Sequence, residues 1–201
     1  MCAGSVFHAH GSYPRFLWTL HAEDLERVAV SNKRWFCYIC GHTTSLPLPD
    51  VLKRRRACLL VIFVLLLSYL ASDKGYETCA QEPLLEFACG KKIARYLTQA
   101  RKCALETQQA IREVLMEEME PEAWRNTFST GLDPPKTLLR RQRGHLPEIS
   151  MLWRAFKMLL IVSHETDQPV ATLLARAHEK SLQLQRPFLL SRILRDPAVG
   201  G

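Results

Sequence analysis

Ala57 to Ala71 is a run of fifteen residues without a charged side chain: Ala-Cys-Leu-Leu-Val-Ile-Phe-Val-Leu-Leu-Leu-Ser-Tyr-Leu-Ala. Such a stretch has to be removed from water on nearly every side, so whatever else the chain does, it folds around this segment or inserts it into lipid. Four bases, Lys53-Arg54-Arg55-Arg56, stand directly before it, and a basic flank on an apolar stretch is a topogenic signal. Length argues the other way. About fifteen helical residues rise only about 22 Å, short of a hydrocarbon core of roughly 30 Å. The expectation is a buried helix at the centre of an α-helical domain. The alternative is a single-pass membrane protein anchored through Ala57 to Ala71.

The 201 residues are 47% hydrophobic and 23% charged, enough apolar material for a packed core and too much for disorder throughout. The net charge of +7 favours acidic partners, and it is distributed in patches. Residues 1–50 balance to zero, 53–56 are all basic, 111–130 carry five acids against two bases, and Lys136, Arg140, Arg141 and Arg143 form a second basic group. Seven cysteines, at 2, 37, 40, 58, 79, 89 and 103, make an odd count with one close pair. That pattern, without a secretory signal, fits a metal site in a reducing, cytoplasmic setting better than a disulfide framework.

The close pair is Cys37-Tyr38-Ile39-Cys40-Gly41. Two intervening residues let both thiolates reach one zinc, and the glycine allows the tight turn beneath them. A structural zinc takes four ligands, so the other half has to come from Cys2, His8, His10, His21 or His42. Without a metal the two residues are simply reduced thiols. A redox role lacks the βαβ surroundings that such motifs have. Around the pair, Arg27 to Val30 and Arg34 to Tyr38 alternate like a hairpin with Ser31-Asn32 as its turn, and Leu46 to Asp50 is a proline-broken linker.

Phe7-His8-Ala9-His10-Gly11-Ser12-Tyr13-Pro14-Arg15, followed after about twenty residues by Lys33-Arg34-Trp35-Phe36-Cys37-Tyr38-Ile39-Cys40-Gly41-His42-Thr43-Thr44-Ser45, resembles the N-terminal zinc ribbon of insertion-sequence transposases. Leu48-Pro49-Asp50-Val51-Leu52 and the arginines behind it resemble an uncharacterised bacterial family built on the same ribbon. In the transposase pattern a first C-x-x-C precedes a His-Gly-x-Tyr-x-Arg segment, and a basic-aromatic strand leads into the second C-x-x-C. Only Cys2 corresponds to the first pair here. The resemblance therefore implies zinc held by Cys2, Cys37 and Cys40, with a fourth ligand either upstream of Met1 or from His8 or His10. His10 is also accounted for by the His-Gly motif. It further implies that the apolar run is a helix of the domain.

From about Pro83 to Glu120 apolar residues recur at three- and four-residue spacings, broken at Gly90. Lys91, Arg95 and Lys102 share one face, with Lys92 beside them, and Ile93, Leu97 and Ala100 point the other way. An apolar helix, a Gly75-Tyr76 turn and this basic helix follow the order of a transposase-like helix-turn-helix, whose second helix would enter the major groove. Lys53, Arg54, Arg55, Arg56, Lys91, Lys92, Arg95 and Lys102 are thus the candidate phosphate contacts. An ordinary solvated helix face would carry the same lysines. The acidic end, Glu113 to Glu120, should point away from phosphate.

Two helices, about 148–164 and 168–185, follow the basic loop, with a short one near 187–195. Met116, Met119, Met151 and Met158 read as core filler, Trp124 and Trp153 as packing anchors. His145, His164 and His178 are too scattered to form a site. No P-loop, dinucleotide fingerprint, nucleophile elbow or H-E-x-x-H is present, and no enzyme is expected. The sequence therefore predicts a mainly α protein. A small β zinc ribbon (1–50) leads into a helical region with a candidate helix-turn-helix (51–130), a basic loop (131–147) and C-terminal helices (148–201). The expected role is that of a DNA-binding accessory or orphan transposon-related protein with zinc as cofactor. The rivals are the membrane protein already named and a zinc-stapled module that binds protein.

Overall fold

The computed structural model describes residues 7–21, 24–45, 50–52, 55–82, 88–128 and 131–190. Its N-terminal part is a three-stranded antiparallel sheet in the order β1-β2-β3, with β1 Phe7–His21, β2 Asp24–Cys37 and β3 Thr43–Ser45. The register runs from Phe7 opposite Cys37 to His21 opposite Asp24, broken by a bulge between Ala9 and Ser12. Gly11 sits in that bulge at φ 84°, a conformation that only glycine adopts without strain. Ser31 and Asn32 do not form the expected turn. They lie mid-strand, paired with Pro14 and Tyr13. Asn32 is buried and donates a hydrogen bond to the Tyr13 hydroxyl at 3.1 Å. The alternation that suggested two short strands is one long strand running straight through.

The rest is helical: α1 Leu59–Ala71, α2 Tyr76–Cys79, α3 Gly90–Lys102, α4 Ala104–Glu118, α5 Pro121–Thr127, α6 Lys136–Arg141, α7 Leu146–Thr166 and α8 Val170–Gln183. The apolar run is the core helix. Leu59, Val61, Ile62, Phe63, Leu65, Leu66, Tyr69 and Leu70 of α1 are buried, and Leu60, Val64 and Leu67 are partly buried against the same cluster. It packs on β1, α3, α7 and α8, with the Phe63 and Phe156 rings edge to face at 4.9 Å. Each such side chain withdrawn from water contributes about 1.5–3 kcal/mol, which is why one all-apolar helix can organise the others. Among the described residues no helix is long and apolar enough to cross a membrane.

Helix boundaries depart from expectation in identifiable ways. Gly90 opens α3, residues 83–87 before it lying outside those described, and a further division falls at Cys103, whose φ of −115° and ψ of 14° leave the α region. The expected basic loop contains α6 and a 3-10 turn over Arg143–His145. The two C-terminal helices stand within two residues of their expected bounds, and residues beyond 190 lie outside those described. Met158 and Trp153 are buried as expected, whereas Met116 is 52% exposed.

Two sets of polar contacts hold elements distant in sequence. Arg141 closes the C-terminal end of α1, donating to the carbonyls of Tyr69 at 2.8 Å and Lys74 at 2.6 Å with its guanidinium over the Tyr69 ring. The Tyr69 carbonyl is one of the last four of α1, which the helix itself leaves without a donor. Gln142 donates to the Tyr69 hydroxyl at 2.9 Å, and burial raises that phenol well above its ordinary pKa. Along the seam between α4 and α8, Arg176 pairs with Glu117 and Glu118, Lys180 with Glu117, and Arg186 with Glu113. The acidic end of α4 is occupied in joining helices.

Among the described residues the backbone of the sheet joins the helical body at Trp18. Trp18 N–H donates to the Arg56 carbonyl at 2.8 Å and Cys58 N–H donates to the Trp18 carbonyl at 2.9 Å, a parallel bridge between β1 and the chain entering α1. Leu17 beside it is 3% exposed and belongs to the core. The Arg15 side chain donates to the Arg55 carbonyl.

Candidate functional site

The cysteine pair caps the far end of the sheet. Cys37 ends β2 and is buried, and Tyr38 to Cys40 form the turn. Gly41, at φ 68°, donates its N–H to the Cys37 carbonyl at 2.9 Å, and Cys37 N–H donates to the His42 carbonyl at 2.9 Å. The His42 Nδ1–H returns to the Cys40 carbonyl at 2.9 Å. The glycine is required here because the turn needs a left-handed residue where the chain doubles back. Cys40 is exposed.

The type, spacing and turn of these two thiols suit zinc, and they are half of the four ligands it needs. Among the described residues no three His, Cys, Asp or Glu side chains gather closely enough to hold a metal ion. Cys2 lies outside the described residues. β1 begins at Phe7 directly opposite Cys37, so the chain reaches the sheet at the cysteine end. His8 packs edge-on against Tyr38 at 4.5 Å, and His10, in the bulge, lies 5.6 Å from Phe36.

The candidate phosphate contacts divide into two groups and a remainder. Lys53 and Arg54 lie outside the described residues. Arg55, Lys92 and Arg95 surround the ring of Tyr96, at 5.2, 5.9 and 6.0 Å from its centroid. Arg56 and Arg95 both act on Lys92, whose pKa is lowered first by burial and then by these neighbouring positive charges. The fold thus brings Arg55 and Arg56 together with α3 although more than thirty residues separate them in sequence. Arg55 is largely committed to the fold, donating to Gln99 Oε1 at 2.5 Å and to the Leu190 carbonyl at 3.4 Å. Lys91 is exposed on another side of α3, beside a shallow cavity shared with Tyr76 and Glu77. Lys102 is exposed in the last turn of α3 and does not join the group around Tyr96.

The inward face of α3 is as its spacing predicts, with Ile93, Leu97 and Ala100 fully buried. The order of apolar α1, a Gly75-Tyr76 turn and basic α3 is also present. The element between them, α2, is a single turn, and Glu77 within it accepts a hydrogen bond from Gly90 N–H at 3.3 Å. A carboxylate therefore already faces the positive end of the α3 dipole.

Sequence reasoning passed over Tyr96 and the rings of the sheet. Tyr96 stands four residues after Lys92, a spacing that makes neighbours on a helix and could have marked it. The sheet carries an aromatic row: Tyr38 lies edge to face on both His8 and Phe36, the latter at 5.3 Å, His10 follows on Phe36, and Arg34 lies 5.8 Å over Tyr13. Strand alternation in β2 signals it, since Phe36 and Arg34 fall on one side.

No family model, curated protein or solved structure matches this chain.

Proposed function

We propose that the chain is a cytoplasmic DNA-binding protein of the transposase-related zinc-ribbon kind, an accessory or orphan that binds without catalysing a reaction. The observation that carries this reading is the gathering of Arg55, Lys92 and Arg95 around Tyr96, with the Arg56 charge acting on Lys92. Charges this close repel one another; burial is the main cause that lowers the pKa of Lys92, and the repulsion from Arg95 and Arg56 adds to it. Phosphate would relieve that repulsion, releasing counterions from the DNA at the same time. Zinc would be held by Cys37, Cys40 and Cys2. His8 is favoured over His10 as a protein-supplied fourth ligand because its ring touches a residue of the C-x-x-C turn itself. The metal would contribute folding free energy to the ribbon. The protein-binding alternative draws support from one feature, the exposure of Tyr38 and Ile39 at 66% and 65% on the tip of that turn.

A gel shift on duplex DNA tests the reading. Affinity should fall linearly on a log–log plot against salt, with a slope of about 0.9 per phosphate contacted. Charge reversal of Arg95 and Lys91 together should weaken binding to every sequence and flatten that slope by one or two contacts. Absence of any complex at micromolar protein and about 50 mM salt, where backbone contacts are strong, would overturn it.

A further inference from the structure

We infer that the outer half of the sheet is a stacking platform for single-stranded DNA, distinct from the basic group on α3. This deepens the DNA-binding reading and rests on it.

Three observations carry the inference. The first is the row of rings. His8, Tyr38, Phe36 and His10 form a continuous aromatic series, and Tyr13 with Arg34 over it extends the series toward the body. The second is exposure. Tyr38 is 66% and Tyr13 38% exposed, and both histidines are exposed, so these four rings present surface to solvent around the half-buried Phe36. The third is charge segregation. Residues 7–13 and 32–45 contain Lys33, Arg34 and three histidines with no aspartate or glutamate, while Asp24 and Glu26 stand at the opposite end of the hairpin. The hairpin as a whole is nearly neutral, yet its outer half is uniformly positive.

Exposed rings beside isolated positive charges suit a polyanion whose bases are unpaired. A paired base hides its faces in the duplex stack and leaves an aromatic ring nothing to lie against. An unpaired base of any kind offers a π-face, and its phosphate is attracted by the Arg34 guanidinium nearby. Arg34 also donates to Thr43 Oγ1 at 3.2 Å, which holds its planar head on this face. The α3 group differs in kind: its one aromatic ring, Tyr96, is buried and unable to stack on a base. One surface is therefore made for bases and the other for backbone.

Fluorescence anisotropy of the full chain with a labelled oligo-dT strand and with a labelled duplex, each about 20 nucleotides long and thus larger than a typical single-strand site, separates the two surfaces. Tyr38→Ala should weaken oligo-dT binding about ten-fold or more and leave duplex binding unchanged, and Tyr38→Trp should restore it. Arg95→Glu should weaken the duplex and spare oligo-dT. Circular dichroism on each variant confirms that the fold persists. Oligo-dT binding that is absent, or that is the same in Tyr38→Ala as in the unaltered chain, overturns the inference. Equal weakening of both ligands by Tyr38→Ala overturns it as well, because the platform would then not select unpaired bases. Loss of duplex binding alone, with Tyr38-dependent oligo-dT binding intact, would refute the duplex reading and leave this one standing.

Discussion

The two ends of the β1–β2 hairpin are made from the same pair of strands and are held by different means. At the inner end Leu17 is sunk in the common core and Trp18 exchanges two backbone hydrogen bonds with the chain leading into α1. At the outer end Phe7, Tyr38 and Ile39 are exposed, and the backbone is closed by the hydrogen bonds of the Cys37–His42 turn and the short pairing of β2 with β3. The strand ladder is continuous between them apart from the bulge. Hydrogen bonding along a hairpin does not make it stable alone, since an isolated two-stranded hairpin is marginal in water. What differs is apolar burial, supplied at one end by the helices and needing replacement at the other. Zinc is the candidate replacement.

The strongest way to break that contrast is to remove the thiols. Cys37→Ser or Cys40→Ser should abolish the binding of about one zinc per chain, a contribution on the order of 10 kcal/mol in small zinc folds. Proteolysis should then cut the outer half while the helical body stays intact. Unchanged protease resistance in both variants would mean that the outer end holds itself. A second test attacks the inner end. Leu17→Ala should cost about 3 kcal/mol in global stability by chemical denaturation, as for other fully buried leucines. A loss below about 1 kcal/mol, the range of surface substitutions, would show that the joint with the body is not made of core packing.

The smallest effect belongs to a seam that neither end touches. Glu117 has its pKa lowered, first by its hydrogen bond with Lys180. A carboxylate whose folded pKa lies below its unfolded one adds stability above the unfolded value, and that contribution disappears as pH falls through the folded value. Glu117→Gln should therefore be less stable than the unaltered chain by a few tenths of a kcal/mol near neutral pH. The difference should close on acidification through the carboxylate range. A gap that persists in acid would point to packing and not to charge.

Much of the body could be read in advance because its signals are local. The burial of α1 followed from its length and lack of charge, and the inward face of α3 followed from helical spacing. The C-x-x-C-G turn was legible for the same reason. Local signals also fell short. Gly90 stands at a helix boundary, but nothing local marks Cys103, which has no breaker chemistry of its own and divides α3 from α4. Ser31-Asn32 looked like a turn because nothing in the sequence shows that Tyr13 receives the Asn32 side chain. Arg55 and Arg141 are the hardest cases. Each sits in a basic cluster that invites a phosphate reading, and each spends its guanidinium on backbone carbonyls far away in sequence. Their neighbours Arg56 and Arg140 remain exposed. Only tertiary structure separates the arginine that builds from the arginine that faces outward.

Because the sheet order is β1-β2-β3, most of β1 is an edge, covered among the described residues where Trp18 meets the chain entering α1. A long bare edge invites another chain to add a strand, the first step toward aggregation. This edge is interrupted twice. Pro14 removes a backbone donor in mid-strand, and the Gly11 bulge twists the strand just before it. The two irregularities that make β1 look like a poor strand guard the protein against assembling with copies of itself through that edge.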